Sequence, residues 1–70
     1  MNRPDAVTKA LSHARYAASD CIGAMYLLHY EWDTVHPQSR AFHINKAIEA
    51  AEDLLQSLKS EDLKISAEAA

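Results

Sequence analysis

Apolar residues recur through the first half of the chain at steps that alternate four and three: Val7, Leu11, Ala14, Ala18, Cys21, Met25, Leu28, Trp32 and Val35. An α-helix turns once every 3.6 residues, so such a series forms one ridge along a helix, sustained here for about four heptads. Ala10, Ala17, Ile22 and Ala24 widen it. Pro4 and Asp5 suit the start: proline loses nothing by lacking an N–H in the first turn, and a carboxylate favours the positive end of the helix dipole. The pattern predicts a first helix over about 5–33.

The segment Thr34-Val35-His36-Pro37 is the one strong break. Proline disfavours helical geometry at the residue before it and cannot donate a hydrogen bond. It can open a second helix, with His36 or Thr34 as the cap, running over about 38–60. Ala41, Ile44, Ala47, Ile48, Ala51, Leu54, Leu55 and Leu58 make its apolar side. Asn45, Lys46, Glu49, Glu52, Asp53, Gln56 and Lys59 make its polar side. A hinge as short as 34–37 leaves two helices antiparallel and adjacent. Residues 61–70 read as a tail, where Ser60-Glu61-Asp62-Leu63 offers one further short turn before the end frays. The expected fold is all-α, a two-helix antiparallel hairpin.

Size changes that picture. Seventy residues bury too little surface to make a hairpin comfortable alone. A single cysteine, Cys21, excludes an internal disulfide and fits a reducing interior. Association is the remaining remedy, so two hairpins are expected to pair as a homodimeric four-helix bundle. Its dimer and core seam comprises Val7, Leu11, Ala14, Ala18, Cys21, Met25, Leu28, Trp32, Ile44, Ile48, Ala51, Leu55 and Leu58. A chain 49% apolar and 24% charged is no disordered segment, and one glycine with two prolines favours few long helices over many strands. No long apolar run follows Met1-Asn2-Arg3-Pro4-Asp5. Neither a signal peptide nor a membrane span is expected, and the expected location is the cytoplasm.

The side of the first helix away from the ridge reads Lys9, His13, Tyr16, Asp20, Gly23, Leu27, Tyr30 and Thr34, with Tyr26 beside it. Glycine in a helix interior costs about 1 kcal/mol against alanine, and Gly23 in mid-stripe suggests close approach by another backbone. The stripe is either further core against a second subunit or an exposed docking patch. Tyrosine suits the second role, because it covers a large area with few rotatable bonds and keeps a polar tip. The candidate protein-binding residues are Tyr16, Asp20, Tyr26, Leu27 and Tyr30, with Arg40 and Phe42 near the hinge. The tyrosines anchor, while Asp20 and Arg40 supply charge at the rim.

Other chemistries find little footing. His29, His36 and His43 are separated by the Pro37 break, and His29 with Asp33 makes at most one edge of a site. CxxC and HExxH are both absent, so no metal is expected. Gly23 alone cannot form a phosphate loop, Cys21 falls on the apolar ridge, and Glu49, Glu52 and Asp53 read as a solvated face. No enzyme activity and no cofactor are expected. The net charge of −3 and the scattered bases Arg3, Lys9, Arg15, Arg40, Lys46, Lys59 and Lys64 argue against a nucleic-acid grip. A nucleic-acid-binding bundle and a structural subunit of a larger assembly stay as alternatives.

The length, the two-helix plan and the alanine-rich acidic character of roughly residues 5–60 resemble small phage-encoded regulators that form dimers of helical hairpins and bind host proteins. The anti-quorum-sensing anti-activators of Pseudomonas phages are one such family. The resemblance implies a non-enzymatic inhibitor that sequesters a host transcriptional activator. It rests on layout and carries no individual residue across.

Overall fold

The computed structural model describes residues 4–68. Arg3 and the last two tail residues, Ala69 and Ala70, lie outside the described residues. The chain is all-α, with three helices and, among the described residues, no strand: α1 (Asp5–Glu31), α2 (Pro37–Leu58) and α3 (Glu61–Glu68).

Each boundary has a local cause. Pro4 is the N-cap of α1, its φ/ψ of −57°/148° outside the helical region, and its carbonyl accepts the first helical bond from Thr8 N–H at 3.1 Å. Helix α1 stops two residues before the expected end. The N–H groups of Thr34 and Val35 both converge on the Glu31 carbonyl, at 3.1 and 2.9 Å, and the Thr34 hydroxyl donates to it as well, at 3.0 Å. Thr34 therefore closes α1 and takes no part in capping α2. That cap is His36, whose Nδ1 accepts from Gln38 N–H at 3.2 Å. Pro37 sits one residue inside α2, where its missing donor is harmless. The hinge thus spans 32–36, between the last residue of α1 and the first of α2.

The second helix also ends two residues early, where Lys59 N–H reaches back to the carbonyls of Leu55 and Gln56. Where the pattern predicted one further short turn and a fraying end, there is an eight-residue helix, α3, that packs on α1. Ser60 precedes it and its carbonyl accepts from Lys64 N–H. Glu61 and Asp62 occupy its first turn, where the dipole favours acids. Leu63 is its half-buried contact. The tail was misread because eight residues hold too few turns for a periodicity to show.

Helices α1 and α2 lie side by side and antiparallel. Near the hinge Arg40 reaches back to Trp32, its Nε donating to the Trp32 carbonyl at 2.8 Å. Two to three turns further from the hinge, Cys21 is level with Ala47, its thiol 3.7 Å from the Ala47 carbonyl oxygen. The line of α1 that meets α2 is Val7, Ala10, Ala14, Ala17, Cys21, Ala24 and Leu28, all buried or half-buried. The answering line of α2 is Arg40, His43, Ala47, Ala50, Leu54 and Ser57.

Both inner lines are built largely of alanine. Small side chains let the backbones approach, and the molecule is correspondingly slim, 50 × 18 × 16 Å. Among the buried residues only Val7 and Leu28 are larger than alanine. No large side chain among the described residues is fully buried. Burial of a valine or leucine is worth roughly 1.5–3 kcal/mol, so this seam contains few strong contributors.

The ridge from Val7 to Val35 is therefore only half covered. Its alternate members Val7, Ala14, Cys21 and Leu28 are buried or half-buried along the hairpin, and Val35 is half-buried in the hinge. The members between them lie one step around the helix. Leu11, Met25 and Trp32 are exposed, and Ala18 is half-buried.

Candidate interaction surfaces

Most of the larger apolar side chains of the hairpin are outside its seam. On α1, Leu11, Ala18, Ile22 and Met25 follow one flank of the inner line, and Trp32 of the hinge continues it. On α2, Ile44, Ile48, Ala51, Leu55 and Leu58 follow a flank of its own. Met25 is 53% exposed, Ile22 68%, Ile48 49% and Leu55 51%.

These two flanks share a face. Asp20 of α1 and Lys46, Glu49 and Asp53 of α2 line one hollow with Ala50 at its floor, so the flanks carrying those residues look the same way. In each helix they lie across the inner line from the apolar flank. The apolar flanks consequently meet on the opposite side. The hairpin is a two-faced plate: one face carries Asp20, Lys46, Glu49 and Asp53, and the other carries Leu11, Ile22, Met25, Ile44, Ile48 and Leu55. A hollow on the apolar side, lined by Cys21, Ile22, Met25, Tyr26 and His29, continues that face towards the outer edge of α1.

The seven candidate docking residues do not form one cluster. Tyr16, Tyr26 and Tyr30 stand on the outer edge of α1, remote from α2, and are 72%, 64% and 67% exposed. Tyr26 and Tyr30 are stacked at 4.6 Å between centroids, and His29 lies 4.5 Å from Tyr30. Gly23 lies between these tyrosines. A Cβ built there meets nothing within 4 Å, so no backbone of this chain approaches it. Asp20 and Leu27 turn instead towards α2: Asp20 lines the polar hollow and Leu27 is half-buried.

Arg40 and Phe42 part company at the hinge. The Arg40 guanidinium lies 4.7 Å from the Trp32 ring centroid while its Nε holds the Trp32 carbonyl. It clasps the two helices and is half-buried, so the rim charge expected of it is already engaged. Phe42 is exposed beside His43 and Lys46, with the Lys46 ammonium 5.5 Å from its ring. It lies on the flank of α2 opposite to Ile44 and Ile48. The signal for this sorting was present in the three-four spacing, but which seam α2 covers had to be known first.

Among the described residues, no group of three or more His, Cys, Asp or Glu is placed to hold a metal ion. Lys46 and Glu49 form an exposed ion pair at 3.8 Å. No described helix is long and apolar enough to cross a membrane. No protein-family model, curated protein or solved structure matches the chain.

Proposed function

We propose that this chain is a non-enzymatic protein-binding module, a homodimeric four-helix bundle that docks on another protein and inhibits it. The observation that carries the reading is the apolar face. A slim hairpin with an alanine seam leaves Leu11, Ile22, Met25, Ile44, Ile48, Leu55 and Leu58 on one open side, where water contact is unfavourable. A second copy would cover that face and leave the outer tyrosine edge free. Tyr16, Tyr26 and Tyr30 then form the docking patch, with the backbone at Gly23 accessible between them. The layout-level resemblance to phage anti-activators suggests a transcriptional activator as the class of target, and the acidic side of α2 suits the basic surface of a DNA-binding protein.

The test joins mass to capture. The double variant Tyr26→Ala/Tyr30→Ala is expected to keep the dimer mass of the wild type in sedimentation equilibrium. It is also expected to lose a host protein that the wild-type chain retains in a pull-down read by mass spectrometry. Collapse of the dimer in that variant would place the tyrosines in the core and remove the docking patch.

A further inference from the structure

Resting on the reading above that the chain pairs with itself, we infer that the apolar face is covered by a second copy in one particular way: related by a twofold axis parallel to the helices, with α1 lying antiparallel on the α2 of the second copy. The register of the hairpin carries this. The Cys21–Ala47 contact sets the levels of the two helices. Counting away from it along both helices brings the apolar flanks level to within a residue: Leu11 with Leu58, Ala18 with Ala51, Met25 with Ile44. A twofold axis along the helices brings each level against itself. It stacks leucine on leucine, alanine on alanine, and methionine with isoleucine in successive core layers.

The alternative twofold, perpendicular to the helices, lays α1 on α1 and runs the levels in opposite directions. Charge selects between them. Arg15 is the sole charged residue between Leu11 and Met25 on the apolar flank of α1, and closing the face would bring its exposed guanidinium to the rim, where an acid of the second copy favours it. In the parallel-axis pairing, Glu52 of the second copy stands close to its level on the adjoining rim of α2. In the perpendicular pairing Arg15 meets the apolar middle of another α1. Within one chain the two residues are on opposite outer edges of the hairpin, so neither serves the other.

The area is adequate. Helix α2, with 22 residues, is roughly 33 Å long at 1.5 Å per residue. Across the 18 Å width of the molecule the face projects to roughly 600 Å², and its ridged accessible surface is larger. That is close to the ~800 Å² per partner of a standard stable interface.

Cross-linking tests the arrangement. Ile22→Cys and Ile48→Cys are made separately, each in a Cys21→Ala background, and then mixed, exchanged and oxidised. The expected result is a disulfide-linked dimer in the mixture and little in either variant alone. Linkage of Ile22→Cys chiefly to itself would overturn the parallel axis while leaving the dimer reading intact. A wild-type chain that sediments as a monomer at tens of micromolar would overturn both. Should the cysteine variants fail to fold, a charge swap decides. Arg15→Glu is expected to weaken dimerisation roughly three- to tenfold, and Arg15→Glu/Glu52→Arg to restore most of it. No restoration overturns the pairing.

Discussion

Two residues at the ends and middle of α1 and α2 show how local chemistry translates into measurable energy. His36 closes the first turn of α2 through Nδ1. Its replacement by alanine leaves the Gln38 N–H without that acceptor and is expected to lower stability by about 0.5–1 kcal/mol, read as a fall in the urea midpoint. Gly23 is helical, exposed and without neighbours around a built Cβ. Gly23→Ala is therefore expected to raise stability by about 1 kcal/mol with no change in dimer mass. If the variant nevertheless loses the captured partner, the methyl group has blocked the docking edge. The sequence showed the cost of Gly23 and suggested close approach by another backbone; within the chain none approaches it, because α2 lies on the other side of α1. The cap at His36 was one of two candidates. The hinge geometry chose it by committing the Thr34 hydroxyl to the Glu31 carbonyl.

At the scale of the helices, the seam and the open face make different demands on the same kind of substitution. Ala14 is buried between α1 and α2. Ala14→Glu places an unpaired charge there and is expected to abolish helical circular dichroism at 25 °C, since such a burden reaches about 3–5 kcal/mol. Ile48 is half exposed in the chain. Ile48→Glu is expected to halve the sedimenting mass, with some helical signal surviving at high concentration. Equal behaviour of the two variants would mean that the apolar face belongs to the hairpin core. The existence of two helices, their hinge and their antiparallel order were legible in the sequence, because proline and a long three-four periodicity are strong local signals. The end of α1 and the helix α3 were not. Helix ends are set by competition among a few hydrogen bonds, and a single α-turn or two carries too little pattern.

For the molecule as a whole, an association-dependent fold has a thermodynamic signature. If the apolar face is closed by a second copy, melting temperature rises with chain concentration, because unfolding and dissociation are linked. A melting temperature that is constant over a hundredfold dilution would show that the hairpin is sustained by its alanine seam alone. The candidate site was legible to a similar depth. Tyr16, Tyr26 and Tyr30 were identifiable as a stripe opposite the ridge, and they stand exposed together on the outer edge. Asp20 and Leu27 were grouped with them by the same three-four stripe, and Arg40 and Phe42 by nearness to the hinge. The packing of α2 sends them to the polar face and the hinge.

The periodicity of apolar residues by itself determined that this chain is helical, where it turns back, and which ridge of α1 is apolar, since each of these follows from backbone geometry and the residues within one or two turns. It could not say which neighbour covers the ridge. The ridge has two sides, and only the packing of α1 on α2 assigns one side to the hairpin and leaves the other open. That choice rests on contacts between residues distant in sequence, such as Cys21 with Ala47, along inner lines built largely of alanine. The tertiary structure thus decided which apolar residues face water in the single chain, and with them the surface on which any partner must act.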